Sequence, residues 1–485
     1  MGYSGEPRFP LPPMPYSLAV LRSRFGPRYR GYVLLTVMLG TMASVMASTI
    51  VNVAVPELAR VFSLGQESVQ WVAAGFMAAM AVAMPLTPWL LERHGYRRTF
   101  LGAVILLLVC SVGAACADSF AWVMAMRVGE GLAAGVLQPV PAIIIIYAFK
   151  PEERGRAMGW FGAAVVLAPA LGPSLSGVLV EAFGWRSVFW VSALLAAIAV
   201  ALAGWLLPHV SPGGAEVNAE GTRLDLAGLA LATSFTLLLL TGLAQLHGAG
   251  LALGVGALLA AAAVLVGFVR HQRRKHRPLM RLDLFAHRNY ALGAIVSFIY
   301  GASLFGSTYL LPVFMQMALS LPASQAGAVL LPAGIALAIV IPVVGRWVGR
   351  DQRVAAVAWG LGLLSASFVL TAWVGLGTAL WVLAALAVLG RIGLGCVLPS
   401  LNLAALGGVS QALVPQGMSV VNLLRQLGGA VGVSLVGVLL EWRLAAHPGE
   451  PVAAFHEVFL MLGGINGLAV VATLFMRQRV DSAEL

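Results

Sequence analysis

The stretch Ala121–Ala148 reads AWVMAMRVGEGLAAGVLQPVPAIIIIYA. Across these 28 residues only Arg127 and Glu130 carry a formal charge. An α-helix rises ~1.5 Å per residue and the hydrocarbon core is ~30 Å thick, so about 20 apolar residues carry a helix across a bilayer. A strand of a membrane barrel would instead alternate polar and apolar residues over ~10 positions. The run is continuous, so a helical crossing is expected. The two charges inside it are expected to matter, because an ionisable group is costly at that depth.

Similar runs fill the rest of the chain. Spans are expected at 31–54, 69–91, 99–117, 121–148, 157–180, 187–207, 225–246, 250–269, 290–311, 324–347, 353–374, 378–401, 417–440 and 457–476, fourteen in all. Of the 485 residues, 60% are hydrophobic and 10% are charged, against roughly 25% charged in a soluble domain. Too little polar side chain is available to cover a soluble surface. A soluble enzyme, a disulfide-stapled secreted domain, a disordered chain and a nucleic-acid binder are all excluded on this ground. The expected class is an all-α polytopic membrane protein.

The basic residues set the orientation. Of 30 Lys and Arg, 24 fall in segments that share one side with the N-terminus, and only Arg60, Arg186 and Arg443 fall opposite. Positive charge marks the cytoplasmic side, so both termini are expected there, in a plasma membrane or bacterial inner membrane. The expected organisation is a cytoplasmic segment 1–30, a six-helix bundle 31–207, a linker 208–224, two additional helices 225–269, a basic linker 270–289, a second six-helix bundle 290–476 and a tail 477–485. The basic linker reads either as a topogenic charge run or as a contact for anionic lipid headgroups.

The two sets of six spans look alike. Arg127-Val-Gly-Glu-Gly131 with Pro139 matches Arg391-Ile-Gly-Leu-Gly395 with Pro399, 264 residues on from arginine to arginine. Parallel repeats are a common transporter plan, with a site between the halves near mid-membrane.

Glu130 is the one carboxylate clearly deep in a span, and Arg127 lies one turn earlier on the same face. The pair reads either as a protonation switch or as a static ion pair between helices. Arg391 and Arg425 also lie within spans and need acceptors or water. Thr49, Asn52, Gln138, Tyr300, Tyr309 and Asn422 suit the lining of an amphipathic cavity, with Arg391 and Arg425. Gly172, Pro173 and Gly177 give one span a flat face and a kink point. No GxxxxGK[ST], HExxH, CxxC or GxSxG motif occurs, so no metal, cofactor or catalytic activity is expected.

These features together resemble the major facilitator superfamily, and within it the fourteen-helix drug:proton antiporters of the multidrug-efflux branch. The resemblance rests on Thr49-Ile-Val-Asn52 with Pro56, on Glu92-Arg93-His-Gly95-Tyr-Arg97-Arg98, on Arg127-x-x-Glu130-Gly131, on Gly172-Pro173-x-x-Ser-Gly177 and on Arg425-Gln-Leu-Gly-Gly. It implies a major facilitator fold of two six-helix bundles plus two helices. It further implies proton coupling at Glu130 and Arg127, a cytoplasmic gate loop of Glu92, Arg93, Gly95, Arg97 and Arg98, and an antiporter helix around Gly172, Pro173 and Gly177. The implied partners are protons, a small-molecule substrate and membrane lipid, with a periplasmic adaptor where the host has two membranes. One position departs from the pattern: Ala47 stands where the branch commonly carries an Asp. The implied activity is proton-coupled export of drug-like or amphipathic molecules. Export of an endogenous metabolite, lipid or siderophore is the alternative, and a non-transporting scaffold or sensor the remote one.

Overall fold

The computed structural model describes residues 23–64, 66–207, 224–246, 250–276, 278–349 and 352–476. Most of the N-terminal segment, nearly all of the 208–224 linker and the 477–485 tail lie outside the described residues. The rest is helical: α1 Tyr29–Thr49, α2 Val55–Val61, α3 Gln66–Ala83, α4 Thr87–Ala115, α5 Phe120–Leu137, α6 Val140–Ala148, α7 Pro151–Phe183, α8 Arg186–Leu206, α9 Leu226–Ala244, α10 Leu251–Arg274, α11 Arg288–Val313, α12 Ala323–Trp347, α13 Arg353–Thr371, α14 Leu380–Ala405, α15 Val414–Ala446 and α16 Pro451–Leu474.

Local chemistry sets the boundaries. The Ser119 hydroxyl accepts the Trp122 N–H at 3.3 Å and starts α5, and the Asp225 carboxylate accepts the Gly228 N–H at 3.1 Å and starts α9. Proline opens α7, α15 and α16, where its missing N–H has no helical partner to lose.

Three expectations from the sequence are corrected. The 31–54 span is not one helix: α1 ends at Thr49 and a 3₁₀ turn, Ile50–Val53, leads into α2. Pro56 sits at the start of α2 and disfavours a helix running through it. The 121–148 span divides at Gln138–Pro139, because prolines 139 and 141 remove two helix donors. The basic linker begins later than residue 270, since α10 continues to Arg274. Its last turn holds His271, Arg273 and Arg274, cations that suit a helix C-terminus.

Twelve stretches among the described residues are long and apolar enough to cross a membrane. One of them, Trp71–Ala115, is 45 residues long and runs from within α3 to the end of α4. A straight helix of that length would reach about 68 Å, twice the hydrocarbon thickness. It is not straight. Gly95 adopts φ 72°, ψ 176°, a conformation essentially confined to glycine. The Thr99 hydroxyl donates to the Leu90 carbonyl at 2.9 Å, whereas nine residues of straight helix would separate them by about 13 Å. The chain therefore reverses at Gly95. The 33-residue α7 is not among the twelve stretches.

Exposed tryptophans mark helix ends. Trp205, Trp347, Trp373, Trp381 and Trp442 are 64–82% exposed and lie near the termini of α8, α12, α13, α14 and α15. Interfacial belts of a membrane protein place such rings there.

Helices α1 and α3–α8 pack among themselves, α11–α16 form a second group, and α9 and α10 form a hairpin against α3 and α15. The groups meet where α7 lies on α12 and α14, and where α15 touches α4. One apolar core joins both groups at the end bearing Tyr29, Tyr96, Leu207, Leu284 and Tyr290. Two separate cores, around Phe189 in one group and Phe459 in the other, complete the packing. The groups are thus closed on each other at the linker-bearing end. Gly345 of α12 makes this approach possible: a Cβ there would lie 2.5 Å from both the Gly155 carbonyl oxygen and the Gly159 Cα of α7.

Candidate functional site

Arg127 and Glu130 face the same side of α5, one turn apart, and both are fully buried. Arg127 Nη1 donates to Glu130 Oε2 at 2.6 Å. The second carboxylate oxygen accepts the Ser111 hydroxyl of α4 at 2.5 Å. Arg127 also donates from Nη1 to the Ala47 carbonyl of α1 at 2.9 Å and from Nε to the Val72 carbonyl of α3 at 3.0 Å. Its guanidinium lies over the Phe76 ring, 4.3 Å from the centroid. Its remaining nitrogen, Nη2, has no hydrogen-bond partner among the described residues. Two adjacent side chains thereby tie α5 to α1, α3 and α4.

This knot has a specific electrical character. The pair is neutral as a whole only while the carboxyl is ionised and faces its arginine. Removing either charge leaves the other buried without compensation, which costs ~3–5 kcal/mol where measured in other proteins. Adding a proton to Glu130 has the same effect on Arg127. Ala47 stands at the position where the resemblance leads one to look for an acid; its backbone carbonyl accepts from Arg127, and the carboxylate comes from α5 itself.

A second polar group lies between the two helix groups. Arg425 Nη2 donates to Asn422 Oδ1 at 2.7 Å on α15, and to Gln138 Oε1 at 3.4 Å across the seam. Gln426 Nε2 also crosses, to the Met80 sulfur at 3.5 Å. Arg391 Nη2 donates to Thr308 Oγ1 at 3.2 Å, and the buried Tyr300 hydroxyl donates to the Leu394 carbonyl at 3.4 Å. Gln138, Asn422 and Arg425 line a small cavity with Phe161, Pro399 and Asn402; at about 10 Å³ it has room for one water.

Other expected residues are placed differently. Thr49 directs its hydroxyl to carbonyls of its own helix. Tyr309 is 40% exposed and makes no hydrogen bond among the described residues. The side chain of Asn52 lies outside the described residues, as do those of Gly172, Pro173 and Gly177, although the helix α7 runs through the last three. The segment expected as a gate loop reverses at the single residue Gly95. Glu92 and Arg93 precede Gly95 and Arg97 and Arg98 follow it, all within helical turns. Arg97 donates to the carbonyls of Gly204 and Leu207, pinning the reversal to the end of α8. Arg93 lies over the Trp89 ring at 5.5 Å. Ser111 and Thr308 were missed from sequence, because a lone hydroxyl in an apolar run gives no sign of its partner on another helix.

The sequence profile of the Major Facilitator Superfamily matches residues 37–433. The chain belongs to this superfamily. Its fold is therefore a transporter fold, not that of an enzyme, and the protein is a multi-pass membrane protein. The Mycobacterium tuberculosis drug efflux pump JefA is 30% identical over 488 residues, spanning 94% of this chain and 91% of the pump. The multidrug resistance protein B homolog of the same species is 29% identical over 464 residues, 92% and 83% of the two chains. Among solved structures, the human organic anion transporter MFSD10 superposes with a TM-score of 0.67 at 19% identity, covering 92% of this chain and 99% of that one. At that identity the likeness concerns the fold alone.

Proposed function

We propose that the protein is a proton-driven exporter of drug-like or amphipathic small molecules, with fourteen membrane crossings and both termini in the cytoplasm. Twelve apolar stretches, one of them reversing at Gly95, together with the long α7, support that count. The relatives named as a drug efflux pump and a multidrug resistance protein support the direction and the class of cargo.

The observation that carries the reading is the buried Glu130–Arg127 pair at 2.6 Å. Glu130 is the proton site. While it is ionised, Arg127 is compensated and its bonds to the Ala47 and Val72 carbonyls hold α1 and α3 against α5. When a proton arrives, Arg127 becomes an uncompensated cation in a dry interior and must find water or new acceptors. The knot of four helices loosens, and the half that contains it can reorient. Return of the proton to the cytoplasm restores the pair. Each elementary charge moved through the membrane potential adds ~2.3 kcal/mol per 100 mV.

The closed linker-bearing end supports reading the described conformation as outward-facing. Cargo binds at the seam between the halves, and α9–α10 lie to the side.

The test is purified protein in liposomes with an imposed pH gradient, screened against dyes, antibiotics and lipids. Glu130→Gln keeps the shape of the side chain and, like the protonated acid, one acceptor oxygen and a donor, but takes no proton. It is expected to abolish gradient-driven flux while leaving folded protein in the membrane. Equal gradient-driven flux in the variant would defeat the assignment. A flat response to toxic dyes with one saturable native substrate would redirect the cargo to an endogenous metabolite or lipid.

A further inference from the structure

The internal repeat is chemically unequal. Arg391-Ile-Gly-Leu-Gly395 repeats Arg127-Val-Gly-Glu-Gly131, but Leu394 stands where Glu130 stands in the first copy. Arg391 therefore keeps the position of Arg127 and loses its carboxylate. Arg425, on α15, has no carboxylate partner among the described residues either. Their acceptors are neutral: Thr308 for Arg391, and Asn422 and Gln138 for Arg425.

The charge balance of the interior follows. Glu130 is the one acid clearly deep in a span, and it is already paired with Arg127. No salt bridge forms at Arg391 or Arg425 among the described residues, and the undescribed side chains of residues 166–175 include no Asp or Glu. Amide and hydroxyl oxygens satisfy a guanidinium's donors but do not cancel its charge. Each arginine is the twelfth residue of its helix, of 26 in α14 and of 33 in α15. Tyr300, on α11, donates to the Leu394 carbonyl of α14, and its neighbour Gly301 packs on the Arg425 backbone of α15. Arg425 opens on the cavity between the two helix groups. Intramembrane ions placed in this way mark the path of a substrate.

We propose that Arg391 and Arg425, with Tyr300 between them, form an anion-recognition site in the seam, and that the cargo is an amphipathic organic acid bearing a carboxylate or sulfonate. A guanidinium is planar, permanently charged and suited to paired hydrogen bonds with such groups. A lipophilic cation entering the same seam meets two like charges with no acid left to receive it. This rests on the reading of the seam as the cargo path, but not on proton coupling at Glu130.

The test is equilibrium binding in nanodiscs of zwitterionic lipid, with no pH gradient, so that a failure of proton coupling leaves the result untouched. The probes are 8-anilinonaphthalene-1-sulfonate and its neutral parent N-phenyl-1-naphthylamine, which share a ring system and differ by the sulfonate. Wild-type protein is expected to bind the sulfonate saturably and about tenfold or more tighter than the neutral parent, a difference of about 1.4 kcal/mol. Arg391→Gln and Arg425→Gln are each expected to weaken sulfonate binding about tenfold, leaving the neutral probe within about twofold. Arg391→Lys and Arg425→Lys keep the charge and should retain most of the affinity. A structural role alone would move both probes together. Equal wild-type affinity for the two probes overturns the proposal, as does full sulfonate affinity in both Gln variants. If a Gln variant does not fold, the wild-type contrast still decides.

Discussion

Replacing Gly345 with Ala tests how tightly the linker-bearing end is closed. The added Cβ would lie 2.5 Å from the Gly155 carbonyl oxygen, 2.5 Å from Gly159 Cα and 2.8 Å from Gly159 N. All three are backbone atoms, so no side chain can rotate aside. Ordinary contact begins near 3.4 Å, and α7 and α12 must separate by about 0.9 Å. Overpacking of this kind costs ~1–3 kcal/mol. The cost falls only on the state in which these helices touch, so the equilibrium should move about 5–150-fold toward a state in which they have parted. Gly334, on the same helix, has nothing within 4 Å of its Cβ position, and Gly334→Ala is the matched control. Spin labels at Glu152→Cys and Trp347→Cys, in a background with the exposed Cys116 replaced by Ser, report the α7–α12 distance by double electron–electron resonance. Gly345→Ala should gain a population at longer distance and Gly334→Ala should not. Identical distributions in both variants and the parent would refute the close-packing argument.

Three other outcomes follow from named contacts. Ser111→Ala removes the 2.5 Å donor to Glu130; a hydrogen bond to a charged group is worth ~1.5–3 kcal/mol, so the melting temperature of the purified protein should fall. Gly95→Ala forces a Cβ into φ 72°, ψ 176°, a strain of ~1–3 kcal/mol, and should also lower the melting temperature, whereas a methyl added at Gly102, in open space on the same helix, should not. Burial pushes the Asp225 carboxyl up, but hydrogen bonds from His271, Gly228 N–H and Gln272 outweigh it and hold the group below the ordinary carboxylate range. Its folded-state value is thus the lower one, so its stabilisation is present above about pH 4 and is lost as pH falls through the depressed value. At neutral pH Asp225→Asn, which keeps a cap oxygen but loses the charge that His271 and Gln272 face, should therefore speed hydrogen exchange at the start of α9; at pH well below 4 the two proteins should converge.

The crossings were legible because bilayer thickness demands long apolar runs, and the superfamily was legible because charged and glycine-rich motifs punctuate those runs. The Arg127–Glu130 contact was legible for a local reason: residues three apart share a helix face. What completes that contact was not. Ser111, the Ala47 carbonyl and the Val72 carbonyl come from three other helices, and their arrival at one point is a property of packing. The segment from Glu92 to Arg98 reads as a loop because it is charged. Its turn requires only Gly95, and the charges decorate helical turns on either side. The link from Arg425 to Gln138 spans 287 positions, and neither residue type predicts the other.

The central claim is that the Glu130 carboxyl takes up and gives back a proton. Difference infrared spectroscopy of the reconstituted protein across a pH titration reads this directly through the carbonyl stretch of a protonated carboxylic acid. The account predicts a protonated-carboxyl band that grows as the pH is lowered and that is absent in Glu130→Gln. A spectrum in which the substitution removes no titrating carboxyl band would contradict it.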